Sequence, residues 1–263
     1  RVLIATGENG RAVEIFRQAS YLSRNRPEQY FQIAKYQEKL NDFTGAQKSL
    51  QSVISLDPGH LPAHSALVNI EIQLGGVEKA LELALAVQTA YPKSPVGDLL
   101  TGDLLMRGKR YSDAAAAYRA GLKKAQGPTL AVRLYQVRRR LGESNAALAD
   151  LDAWNTKHPG YAAVHRVLAS AYMNTGQTKR ATDAHIAYVK KHPKDARMIN
   201  NLALLYQDQN DGKAIEFAER ALKLDPENAS VLDTYGWILV QRGDAVKGLR
   251  YLREAQTRAA KQL

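Results

Sequence analysis

Cysteine is absent from the 263-residue chain. That excludes disulfides, thiolate-bound zinc and cysteine nucleophiles, while leaving the redox compartment open. Large anchoring side chains are scarce as well: there are 4 Phe, 2 Trp and 3 Met. No uncharged apolar run is long enough to span a bilayer. No run of alternating β-branched residues reads as a strand. The chain has no HExxH, no GxSxG elbow and no phosphate-cradling glycine loop; Gly176-Gln-Thr-Lys-Arg lacks the P-loop pattern. The six histidines make no ligand or catalytic constellation. His158 and His192 each precede a proline and read as equivalent loop or helix-end residues, and His165 and His185 lack paired-ligand spacing. Asp208 and Asp211 fall in a turn, where carboxylates cap or solvate backbone. No catalytic residue, metal or cofactor is expected in this segment, and the chain is read as a non-enzyme.

What is present is a chain 45% apolar and 24% charged, a balance that fits a folded helical protein. The formal charge of +11 is uneven. Between Leu104 and Gly142 stand ten Lys or Arg residues against one acid, Asp113. The opening residues RVLIAT are too short for a signal peptide and read as the tail of a helix whose start is missing, so the chain is expected to be a piece of a larger protein.

The chain also repeats. Prolines recur at Pro27, Pro58, Pro92, Pro128, Pro159, Pro193 and Pro226, with gaps of 31 to 36 residues. Between them come glycines near expected helix ends: Gly45, Gly75, Gly108, Gly142, Gly176, Gly212 and Gly243. Apolar residues between these marks keep helical spacing, as in Leu202, Leu205 and Tyr206. The partition is a leading half-repeat over 1–26, then helix pairs over about 27–58, 59–92, 93–127, 128–159, 160–193, 194–226 and 227–263, making one array over 1–263. Small residues such as Ala46, Ala80, Gly102, Ala147, Ala181, Ala203, Ala221 and Gly236 sit where helices must approach closely. The third pair is expected to pack worst, because Ala114 to Ala117 and Gly121 offer little bulk and Gly127-Pro128 break the spacing.

A helix-turn-helix unit of this length resembles the tetratricopeptide (TPR) repeat. The resemblance implies an all-α TPR superhelix, a right-handed α-solenoid of antiparallel helix pairs. In such an array the first helix of each pair lines the concave face. Its inward exposed positions here are Arg107, Gln136, Arg139, Arg140, Arg166, Ser170, Asn174, Arg197, Asn200 and Gln207. Arginine forks and amides suit carboxylates and extended backbone. The other reading is an ordinary solvated helix face. Trp237 also falls inward, beside Gly236, either to stack on a sugar or peptide or to pack against a following helix. The last helix carries Arg250, Arg253, Glu254, Arg258 and Lys261, and either caps the array itself or continues into more protein. Nucleic acid is not the expected partner, because the basic block lacks interleaved aromatics and any base-reading motif.

The C-terminal third carries NNLALLY, AERALKLDPENA and LDTYGWILVQRGD. These strings resemble the large bacterial TPR-repeat lipoproteins of PEP-CTERM/exosortase and exopolysaccharide systems. The resemblance implies a periplasmic, outer-membrane-associated scaffold in polymer export or surface-protein handling, binding a protein, a peptide or an acidic polysaccharide. The lipid-bearing cysteine of such proteins is missing here. A cytosolic peptide-tail adaptor, or the recruiting array of an enzyme whose catalytic domain lies outside this segment, stays open beside it.

Overall fold

The computed structural model describes residues 26–260 together with Arg11, Ile15 and Gln18. Apart from those positions, the expected half-repeat over 1–26 lies outside the described residues. Among the described residues there are fourteen helices and no strand. The chain divides into two compact units, residues 1–143 and 144–263. The first holds α1 (Pro27–Lys39), α2 (Phe43–Leu56), α3 (Leu61–Gln73), α4 (Val77–Ala90), α5 (Val96–Arg107), α6 (Tyr111–Lys124) and α7 (Pro128–Arg140). The second holds α8 (Ser144–Lys157), α9 (Ala162–Asn174), α10 (Thr178–Lys191), α11 (Ala196–Asp208), α12 (Lys213–Leu224), α13 (Ala229–Gln241) and α14 (Ala245–Ala260).

One turn is used seven times. The backbone N–H of Asp42, Gly76, Arg110, Glu143, Gln177, Asp211 and Asp244 each donates to the carbonyl five residues earlier, at 2.7–3.0 Å. This six-to-one bond satisfies a helix-end carbonyl and needs one left-handed residue just before the donor. Gly75, Gly142, Gly176 and Gly243 take that place with φ of 70° to 94°. Asn41, Lys109 and Asn210 take it in the other three turns, at φ 60°, 59° and 53°. The sequence had pointed to Gly45, Gly108 and Gly212 instead. Gly45 lies inside α2, where its N–H donates to the Asp42 carboxylate at 3.0 Å. The left-handed position is set by helix register, and asparagine tolerates it well enough to displace glycine.

The small residues do bring helices together. Ala46, Ala80, Ala181, Ala203 and Ala221 are fully buried. In unit 2, α13 and α14 cross with Gly236 against Gly248: a Cβ at Gly236 would lie 2.8 Å from the Gly248 carbonyl oxygen. The third pair packs better than its composition suggested. Ala114 and Ala115 are buried, and the Tyr118 ring lies against Gly102 and seals the space. Small side chains let α6 approach closely, so one tyrosine replaces several branched residues. The core of unit 2 gathers Met198, Ile199, Leu202, Val231, Tyr235 and Ile238. Each such burial contributes about 1.5–3 kcal/mol.

Candidate functional site

Helical geometry displays the inward positions one turn apart on the first helix of each pair. Arg107 ends α5, Gln136, Arg139 and Arg140 lie on α7, Arg166, Ser170 and Asn174 on α9, Arg197 on α11 and Trp237 on α13; all are exposed. Two expected members are not. Asn200 is 3% exposed, with its Oδ1 unpartnered. Gln207 is half-buried, and its Oε1 also lacks a partner. The reason is length: α11 packs against α13, and at that depth an arginine stem carries its head out to water while a short amide stays below the surface.

Unit 2 brings two of these residues into one place. A cavity of about 430 Å³ is lined by Arg166 and Arg197 together with Lys194, Asp195, Leu224 and Asn228. Its two acidic neighbours already have partners within the chain. Asp195 accepts from the Met198 N–H at 3.1 Å and from the Tyr188 hydroxyl at 3.1 Å, while Asp225 accepts from the Asn228 amide at 2.8 Å. Arg166, Lys194 and Arg197 make no ion pair among the described residues. Lys194, Leu224 and Asn228 escaped the sequence reading because they lie in the turns between pairs or at a second helix's end, where counting along first helices does not reach.

Unit 1 places Arg107 in a second cavity, of about 390 Å³, with Asn69, Asp103 and Arg133. Asp103 accepts from the Tyr118 hydroxyl at 2.6 Å and pairs with the Arg133 Nε at 3.0 Å. Burial and the Asp103 carboxylate both push the Tyr118 phenol well above its ordinary range, so it stays a donor. Asp103 lies four residues before Arg107, and that i,i+4 relation could have flagged it. Arg133 further donates to Gln136 at 3.4 Å, and Arg139 stands over the Tyr135 ring at 5.8 Å. Arg140 is exposed with no ion pair among the described residues.

Trp237 remains 48% exposed on α13, with no ring partner among the described residues. His165 and His185 are both buried in unit 2, and no group of three His, Asp or Glu among the described residues could hold a metal ion. His158 and His192 are indeed equivalent: each packs on the aromatic one turn earlier, Trp154 at 4.8 Å and Tyr188 at 4.4 Å. No helix among the described residues is long and apolar enough to cross a membrane.

Residues 39–104 and 166–229 each match the tetratricopeptide repeat family. Among solved structures, a tetratricopeptide repeat protein from Parabacteroides merdae is similar over 88% of this chain and 92% of its own, at 14% identity and a TM-score of 0.53. The Cut9–Hcn1 hetero-tetramer of the APC/C is similar over 90% of this chain and 47% of that one, at 17% identity and a TM-score of 0.51. Among curated proteins, a TPR repeat-containing protein of Pseudomonas aeruginosa is 24% identical over 45% of this chain. Cellulose synthase operon protein C of Pseudomonas fluorescens is 25% identical over 70% of it. The chain spans only 26% and 15% of the lengths of these two relatives. Helix pairing, the seven-fold recurrence of one turn and both matched segments agree that the fold is all-α and of the tetratricopeptide-repeat type.

Proposed function

We propose that this segment is a non-catalytic interaction scaffold whose first-helix faces bind an acidic or extended partner. One observation carries the reading. Arg107, Arg139, Arg140, Arg166 and Arg197 are exposed and have no ion-pair partner among the described residues. By contrast, Arg110, Arg133, Arg138 and Arg180 are each paired with a carboxylate of the chain itself. An unpaired guanidinium offers a planar fork to an incoming carboxylate, and nothing internal has to be broken first.

The setting we infer is bacterial exopolysaccharide export. Its support is the similarity to a protein named for a cellulose synthase operon. The exosortase link, the periplasmic location and the outer-membrane tether rest on the C-terminal resemblance alone and are proposed with it. Protein, peptide and acidic polysaccharide are the partner classes, and the basic, fork-shaped side chains select for anionic members of each.

The test is retention of partners from an envelope fraction by the immobilised chain, at low and at high salt. Changing Arg139, Arg140 and Arg166 together to Glu should remove low-salt retention and leave the helical circular dichroism unaltered, since all three side chains are exposed. Retention that survives those changes at low salt would overturn the reading. Retention only from cytosol would move the scaffold to the adaptor role instead.

A further inference from the structure

We propose that the chain docks head-to-tail on a second copy of itself, with the exposed face of α14 in one copy lying antiparallel on the exposed face of α4 in the next. This goes beyond the first-helix reading and uses none of its residues. Each second helix carries one buried small residue near its start, Ala80 on α4 and Gly248 on α14. The positions two before, two after and five after that residue share one face. The face is exposed on every described second helix, apart from half-buried Asp152 and Ile186 at its last position. On α4 it reads Glu78, Glu82 and Leu85; on α14 it reads Val246, Arg250 and Arg253. Leu85 is 44% exposed and Val246 87%. No other described second helix joins an exposed large apolar residue to two like charges there. The leucine and the valine leave apolar area in water, and a docked partner would cover it.

The two faces complement each other. Set antiparallel with Leu85 opposite Val246, they bring Glu82 opposite Arg250 and Glu78 opposite Arg253, because the same three positions carry apolar and charged residues in reversed order. Residues three or four apart on a helix stand about 5–6 Å from each other, so both arginines reach a carboxylate at once. Glu78, Glu82, Arg250 and Arg253 are exposed and make no ion pair among the described residues, so each is available to a partner. Charge also selects the occupant. The chain carries +11, so most ways of bringing two copies together set basic surface on basic surface, and the acidic face of α4 is where a basic helix is accepted. One helix against one helix buries less than the roughly 1,200 Å² of a stable interface, so the association is of the weak class. The contact joins unlike faces, so a docked pair keeps one face of each kind free and further copies can add.

The test is analytical sedimentation of the intact chain, whose average mass should rise above that of one chain as concentration increases. Glu82→Arg and Arg250→Glu should each weaken this association at least about tenfold, by setting like charges against each other. Mixing those two variants should restore it, since the altered α4 of one then meets the altered α14 of the other. Both changes in a single chain should restore it as well. Leu85→Ser should weaken it roughly three- to tenfold, through lost apolar burial. Glu216→Arg, the same charge change at the matching exposed position of α12, should leave it unaltered. A mass that stays at one chain at every concentration refutes the contact. Unchanged association of either charge variant, or mixing that restores nothing, refutes the pairing of α4 with α14, and unchanged association of Leu85→Ser refutes its apolar part. Loss in Glu216→Arg would make the effect one of net charge and refute the site. None of these results touches the first-helix reading, because Arg139, Arg140 and Arg166 are native throughout.

Discussion

Lys109 is the most costly residue in the seven turns. It takes the left-handed conformation at φ 59°, where glycine stands in four turns and asparagine in two. A lysine there brings its Cβ against the carbonyl and costs about 1–2 kcal/mol. Glycine would remove that cost, and its extra unfolded-state entropy would return about half of the gain. Lys109→Gly should thus stabilise the chain by about 0.5–1 kcal/mol, raising the thermal midpoint by roughly 1–4 °C. Gly142→Ala, at φ 83° with open space around it, should do the reverse by about 1 kcal/mol. Scanning fluorimetry on both variants checks the sign. Equal midpoints would mean that the turn is not strained.

At the scale of elements, the second helices are tied to their neighbours by charges as well as by apolar faces. Asp98 of α5 is completely buried; it accepts from the Gln88 amide of α4 at 2.6 Å and pairs with Lys124 at the end of α6, also at 2.6 Å. Lys124→Ala would strand a carboxylate in the core, with only an amide to compensate. The expected loss is about 3 kcal/mol, read as a lower urea midpoint and faster amide exchange in α5 and α6. Adding Asp98→Ala should recover part of it, because the stranded charge is then gone.

Helix existence, pairing and close approach were all legible before any coordinates, because proline, glycine and alanine act through local sterics. Asp98 was not legible: a buried carboxylate looks like any surface one until its partners, ten and twenty-six residues away, are placed. The inward face was legible only in part. Counting one turn at a time picked arginines that are exposed, but periodicity gives direction and not depth, so Asn200 and Gln207 lie below the surface, and it does not reach Lys194 and Asn228 in the cavity of unit 2.

Across the whole molecule, the two units carry different buried chemistry and should respond differently to acid. Unit 2 encloses His165, 3% exposed against the Tyr188 ring at 4.7 Å, with both ring nitrogens unpartnered. Burial first, then the positive potential of His185, His192 and Lys191, holds its pKa down to about 4. His185, wholly buried nearby in sequence on α10, is shifted the same way by desolvation. A depressed histidine is neutral when folded and protonated when unfolded, so the unfolded chain takes up the proton first as pH falls below its ordinary 6.5. The stability held above that value is lost progressively down to the folded pKa, and His165 alone should account for about 2 kcal/mol between pH 7 and 5. Neither histidine of the described part of unit 1, His60 or His64, is enclosed in the core, so amide protection in α9 to α11 should fall more on acidification than protection in α3 to α5. His165→Phe keeps a ring against Tyr188, removes two unsatisfied nitrogens and cannot titrate. It should match or exceed the parent at pH 7 and flatten the acid loss in α9 to α11. An unchanged pH profile in that variant would assign the acid sensitivity to other groups.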